Sequence, residues 1–158
     1  MRRGQEPKVA IGEGLFYHTR MKTSDENTTP FNRLLGTRCL LMKEGRSRYE
    51  LSLGPDHLNR RGVAHGGVVA SLLDTALGAA VVSSIAVKEW CGTLELSIQF
   101  REPVLQGTVT AEGRVARRGR AIAFAEGEMR DEAGRVLATA HGVWTIWPRR
   151  PATEKVRS

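Results

Sequence analysis

Cysteine is scarce in this chain. Its 158 residues hold two, Cys39 and Cys91, too few and too far apart for a disulfide framework or a zinc site. Both are expected as reduced core thiols of a cytoplasmic protein. The histidines supply no metal pattern either: His18, His57 and His141 stand in no ligand spacing with one another or with the cysteines. No metal and no cofactor is therefore expected. There is no Gly-x-Ser-x-Gly elbow, which removes a serine hydrolase of the α/β type. A Walker-type phosphate loop and a dinucleotide fingerprint are also missing. The basic start, MRRGQEPKVA, is followed by no apolar h-region, so no signal peptide is expected. One apolar run, Val68–Val87, is long enough to consider as a membrane span. Ser71, Asp74, Thr75, Gly78, Ser83 and Ser84 interrupt it, and Asp at a span centre costs about 2.5–3.5 kcal/mol. Membrane insertion is not expected. No internal repeat or low-complexity tract is present.

What is there fits one domain with a single core: 41% hydrophobic and 26% charged residues are ordinary for a globular chain of this length. Lys and Arg number 24 against 17 Asp and Glu, a net +7 that attracts anions without naming them. Part of the excess lies in Arg2, Arg3, Arg149, Arg150, Lys155 and Arg157, read as solvated ends. A second concentration, Arg114, Arg117, Arg118 and Arg120, lies inside the domain. The basic residues are not interleaved with aromatics, so nucleic acid is not the expected partner.

Residues 1–29 form an arm without sustained periodicity, with a short turn near Leu15–Tyr17. The folded domain spans 30–148, and 149–158 is a charged tail. Thr29-Pro30 through Gly36 predicts a short helix, with Thr29 as cap, Pro30 at the first position and Gly36 at the exit. Thr37–Lys43 and Arg48–Leu53 predict an antiparallel hairpin. Gly54–Ala64 is a loop leading to a long helical stretch, His65–Val87. After Gly92 the period switches to two: Leu94, Leu96, Ile98 and Phe100 alternate with polar residues. Strands Thr108–Arg117, Ala121–Arg130 and Arg135–Trp147 follow, joined by short turns that favour antiparallel neighbours. This is an α+β layout, an antiparallel sheet with one long helix on a face. The helix is apolar all round, so either a curling sheet or a second subunit must cover the remainder.

The chemistry concentrates in that helix. Gly66 and Gly67 open it, where backbone amides lack partners and the dipole is positive, an anion or oxyanion site in the making. Asp74 is the one charge within, seven residues after Gly67 and on the same face. A carboxylate there is costly unless paired, neutralised or used. Eight residues of helix separate Gly66 from Asp74 by about 12 Å. One substrate carbonyl and one water do not bridge that distance, so two copies of the helix are expected to share a site.

The run Asn59-x5-His65-Gly66-Gly67-x6-Asp74, then Gly92-Thr93-Leu-Glu-Leu-Ser-Ile-Gln-Phe-x2-Pro103 and Arg118-Gly119-Arg120, resembles the hotdog-fold acyl-CoA thioesterases. It is most similar to their phenylacetate-degradation, or PaaI-type, branch. The likeness covers about residues 30–148. It implies a hotdog fold, in which a curved antiparallel sheet of five to six strands wraps one central helix. It also implies a homodimer with one continuous sheet and shared active sites, assembling further into a homotetramer. On this resemblance Asp74 matches the carboxylate that activates water or attacks the thioester directly. Gly66 matches the amide that polarises the thioester oxygen of the partner's substrate. His65 and Asn59 match loop residues that orient carbonyl and water, and Thr93 one that helps hold the water. Gly67, Arg117, Arg118, Gly119 and Arg120 match positions that meet coenzyme A, the arginine turn its phosphates. Leu72, Leu73, Ala76, Leu77 and Ala80 are candidates to line an acyl pocket.

Acyl-CoA hydrolysis is the leading reading. A non-catalytic acyl-CoA sensor of the same fold is the alternative, discriminated by Asp74, for which a sensor has no need. A hotdog hydratase or dehydratase comes next. It uses acid–histidine pairs in an arrangement not found around this helix.

Overall fold

The computed structural model describes residues 29–150. The N-terminal arm with its expected turn, and residues 151–158 of the tail, lie outside the described residues. Helix α1 (Pro30–Leu35) is built as its residues require. The Thr29 hydroxyl accepts from the Asn32 N–H at 3.2 Å, and Gly36 takes the left-handed exit at φ 71°. Strands β1 (Thr37–Lys43) and β2 (Arg46–Ser52) form the expected hairpin. Its two turn residues, Glu44 and Gly45, both have positive φ, 51° and 75°. That geometry matches strand twist and lets pairing resume at once, so β2 starts at Arg46 rather than Arg48. A loop with one 3-10 turn, Pro55–His57, leads to helix α2 (Gly66–Val82). The helix ends five residues before Val87, where the Ser83 and Ser84 hydroxyls turn back onto the Ala80 and Val81 carbonyls.

Strands β3 (Trp90–Phe100), β4 (Thr108–Arg118), β5 (Ile122–Asp131) and β6 (Val136–Trp147) complete one six-stranded antiparallel sheet in the order β1-β2-β4-β5-β6-β3. The short-turn expectation holds for β4, β5 and β6 and fails for β3. That strand pairs with β6 at the far edge, while β4 joins β2. Crossing three strand intervals takes about 14 Å, well within the reach of the segment 101–107.

The sheet curls around α2. Leu51, Val109, Ala111, Ala123, Ala125, Met129, Ala138, Trp144 and Ile146 face it and are buried. Glycines set the contact distance. A Cβ on Gly113 would lie 2.7 Å from the Ala76 carbonyl oxygen, so only glycine lets helix and strand approach this closely. The inner-face Ser47 hydroxyl donates to that same carbonyl at 2.5 Å. The far face of the sheet is polar, with ion pairs Arg48–Glu112, Arg114–Glu126 and Arg130–Glu128 bridging exposed rows. Ser71, Asp74, Thr75, Gly78 and Val82 remain half-buried along one helical stripe. Asp74 thus sits at the margin of the core, which resolves the expected conflict of a charge in an apolar helix. No described helix is long and apolar enough to cross a membrane.

Candidate active site

The start of α2 is organised by His65. Its backbone is extended, φ −61° and ψ 137°, and its Nδ1 accepts from the Gly67 N–H at 2.9 Å. The histidine therefore caps the helix in the way Ser or Asp usually does. A neutral ring accepting through Nδ1 carries its proton on Nε2, so His65 presents a donor outward. The Gly67 amide is thereby engaged within the helix cap. The Gly66 N–H, one residue earlier, has no acceptor among the described residues. Beside Gly66 lies the Phe100 ring, 3.6 Å from where a Cβ would stand. A groove of about 330 Å³ opens there, lined by Val63, Val69, Phe100, Pro103 and Val104.

Asn59 holds the approach loop. Its Oδ1 accepts from the Arg61 N–H at 2.8 Å and the Val63 N–H at 3.4 Å, and its own N–H donates to the Val63 carbonyl at 2.7 Å. The oxygen is committed to an Asx-type turn, leaving the side-chain NH₂ as the group it offers outward.

Asp74 lies two turns further along α2. The Thr93 hydroxyl donates to its Oδ1 at 2.9 Å, and Oδ2 has no protein partner among the described residues. The contact depends on a bulge. Register shifts between Thr93 and Glu95, so Leu94 is extruded and 61% exposed, and Thr93 takes the helix-facing position instead. Simple alternation had placed Leu94 on that face. An extra residue on an edge strand reverses the side of everything before it.

Cys91, two residues before Thr93, faces the same carboxylate. Burial first, and the Asp74 charge second, push its thiol up to about 11. At pH 8 about one thiol in a thousand is then ionised, so alkylation by N-ethylmaleimide is expected to be slow and to rise about tenfold per pH unit up to pH 10. Asp74→Asn removes the second cause and should speed labelling at pH 8. Equal rates in the two proteins would show that the carboxylate does not act on the thiol.

The arginine turn closes the β4–β5 hairpin. Strand β4 runs through Arg118, and the Gly119 N–H donates to the Ile122 carbonyl at 2.8 Å. Arg117 and Arg120 are exposed and make no ion pair among the described residues. Arg118 differs, because it bonds Glu89 at 2.7 Å.

Within one protomer the fold joins Thr93 to Asp74 and His65 to Gly67. It keeps Gly66 and Asp74 on separate turns of one helix, about 12 Å apart. Leu72, Leu73, Ala76, Leu77 and Ala80 are all 0% exposed. They are core, and the residues around the groove at Gly66 replace them as pocket candidates. Phe100, Cys91 and Glu89 were not singled out as site residues. Strand alternation carried the signal for Phe100, whereas only the fold brings Cys91 and Glu89 to their partners. A larger concavity of about 560 Å³ lies on the far face of the sheet, among Arg48, Glu112, Glu126 and His141.

A family model described as the thioesterase superfamily matches residues 61–138. The chain is 32% identical over 114 residues to a Saccharolobus solfataricus protein named "Putative esterase SSO2140", covering 72% of this chain and 81% of that one. It is 24% identical over 151 residues to the medium/long-chain acyl-CoA thioesterase YigI of Salmonella typhimurium, covering 86% and 91%. The solved structure of the Escherichia coli PaaI protein, from the phenylacetic acid degradation operon, superposes with a TM-score of 0.71. That match has 25% identity and covers 79% of this chain and 87% of that one.

Proposed function

Because the chain belongs to the thioesterase superfamily, we propose that it hydrolyses an acyl- or aryl-coenzyme A thioester to the free acid and coenzyme A. The observation that carries this reading is the Asp74 carboxylate, half-buried on the central helix, held through one oxygen and open at the other. A protein that only bound acyl-CoA has no use for such a group beside the thioester. Asp74 either takes a proton from the attacking water or attacks the thioester carbon itself. In both routes negative charge grows on the thioester oxygen, and an amide such as the Gly66 N–H is placed to receive it. The carbon–sulfur bond then breaks and the thiolate of coenzyme A leaves; in the direct-attack route water next cleaves the Asp74–acyl anhydride, releasing the free acid and restoring the carboxylate. His65 Nε2–H and the Asn59 NH₂ act as donors toward carbonyl or water, and the arginine turn meets the phosphates.

In this reading the working pair comes from two chains. Strand β3 has one edge unpaired by any described strand, as pairing with a second copy requires. Thr93 and Phe100 share its helix-facing side, about 23 Å apart along the strand. Antiparallel pairing of β3 with its counterpart reverses one copy. It carries the Phe100 end, with Gly66 against it, toward the partner's Thr93 and Asp74.

Free-thiol release from a panel of short, long and aryl CoA thioesters tests the activity. Release from at least one class is the expected result. Saturable binding of acyl-CoA with no thiol released from any member would instead establish a sensor.

A further inference from the structure

Glu89 stands just before β3, four residues ahead of Thr93 and at most about 14 Å from it along an extended chain. Thr93 and Cys91 face the helix, and Glu89, one residue before the strand begins, meets a side chain from that same side. Arg118 reaches the same side, since its register partner Ala123 is buried there. The two meet in a partly exposed ion pair, the Glu89 side chain 20% and the Arg118 side chain 35% exposed. The Glu89 carboxylate is fixed independently, because its Oε2 also accepts from the Ala86 N–H at 2.8 Å just past the end of α2. The Ala86 N–H, and after it the Arg118 guanidinium, hold Glu89 below the usual carboxylate range. Arg118 is therefore engaged by a backbone-anchored anion, while Arg117 and Arg120 beside it are open.

We infer that Glu89 is a positioning residue that competes with the phosphates of coenzyme A for Arg118, weakening the hold on the nucleotide end and easing release of the coenzyme A product. This rests on the reading of the site as a CoA thioesterase. The chemistry is competition between like anions. A guanidinium fork binds carboxylate and phosphate through the same donors, so a fixed carboxylate lowers the cation's net attraction for an incoming phosphate. Glutamine at 89 keeps an oxygen for the Ala86 N–H and removes the charge.

The test is product inhibition by free coenzyme A, with the kcat/KM ratio between a CoA thioester and the N-acetylcysteamine thioester of the same acyl group, which carries no phosphate. Glu89→Gln should lower Ki for coenzyme A about two- to fivefold, the range for one partly exposed ion pair, and raise that ratio by a similar factor. Arg118→Gln should weaken inhibition about tenfold or more and abolish any effect of Glu89→Gln made on top of it. A Ki unchanged or raised in folded Glu89→Gln overturns the inference, and so does full inhibition in Arg118→Gln. This second arm stands even if the glutamine variant at 89 fails to fold. If the wild-type protein releases no thiol from any CoA thioester, the reading of the site fails and the inference falls with it. Hydrolysis with an unmoved Ki sinks the role of Glu89 alone.

Discussion

Replacing Gly66 with proline should give a folded protein whose kcat on a thioester substrate is about 10²–10³-fold lower, the cost of removing one oxyanion donor. The substitution is unusually clean at this position. Gly66 is the first residue of α2, where proline's fixed φ is pre-organised and its missing N–H costs no helical hydrogen bond. His65 before it is already extended, at φ −61° and ψ 137°, the conformation a residue preceding proline prefers. The new Cβ meets only the Phe100 ring, at an ordinary 3.6 Å. The amide that is lost has no acceptor among the described residues, so no structural bond is broken. Gly66→Ala is the matched control, since it brings the same Cβ to the same ring and keeps the N–H. Thermal melting checks the fold and single-turnover kinetics the chemistry. A folded proline variant with wild-type kcat would falsify the role of this amide. Equal losses in the alanine and proline variants would assign the effect to the Phe100 contact instead.

The parts of this architecture legible in the chain are those set by near neighbours. The cap and exit of α1 follow from Thr29, Pro30 and Gly36. The β5–β6 hairpin follows from alternation on either side of Asp131–Gly134, and α2 from an apolar run opened by two glycines. The parts that were not legible are set by distance. Nothing in the segment 101–107 says whether β3 folds back on β4 or crosses to β6, since the linker permits both. Pairing with β6 is decided by the competing partner, because β2 already takes the free side of β4. The bulge at Leu94 is equally silent. An edge strand has one side without a neighbour to hold register, and an extra residue there leaves the other strands undisturbed. That bulge is what brings Thr93 to Asp74. The resemblance names both residues for the site, one as the carboxylate and one as a holder of water, but alternation through Leu94 points Thr93 away from the helix. The two opening glycines sit at the start of α2, as the chain reads locally. Both lie where orphan amides are expected, and only the His65 ring shows which one is already bonded. Glu89 carries no local signal of a site. Its partner Arg118 is 29 residues away, and no local pattern connects them.

Asp74→Asn should lower kcat by about 10²-fold or more with little loss of stability, because asparagine keeps an oxygen for the Thr93 hydroxyl now bonded at 2.9 Å and the position is only half-buried. The same variant also decides where the site is built. Suppose each site takes Gly66 from one chain and Asp74 from the other. A dimer pairing an Asp74→Asn chain with a Gly66→Pro chain then has one site with both defects and one with neither. Two-fold symmetry makes the arithmetic fixed: such a dimer, purified through two different tags, should have about half the activity of the wild-type dimer, although each parent is nearly inactive. The rescue should appear without any change in KM, since the intact site is chemically wild type. A site assembled within one chain predicts the opposite, because every site in the mixed dimer then carries one lesion. Confirmed mixed dimers as inactive as their parents would therefore return both groups to a single chain. They would leave the separation of about 12 Å along α2 to be closed by some other group. Half activity would build each site from two chains, the arrangement that antiparallel pairing at the β3 edge provides.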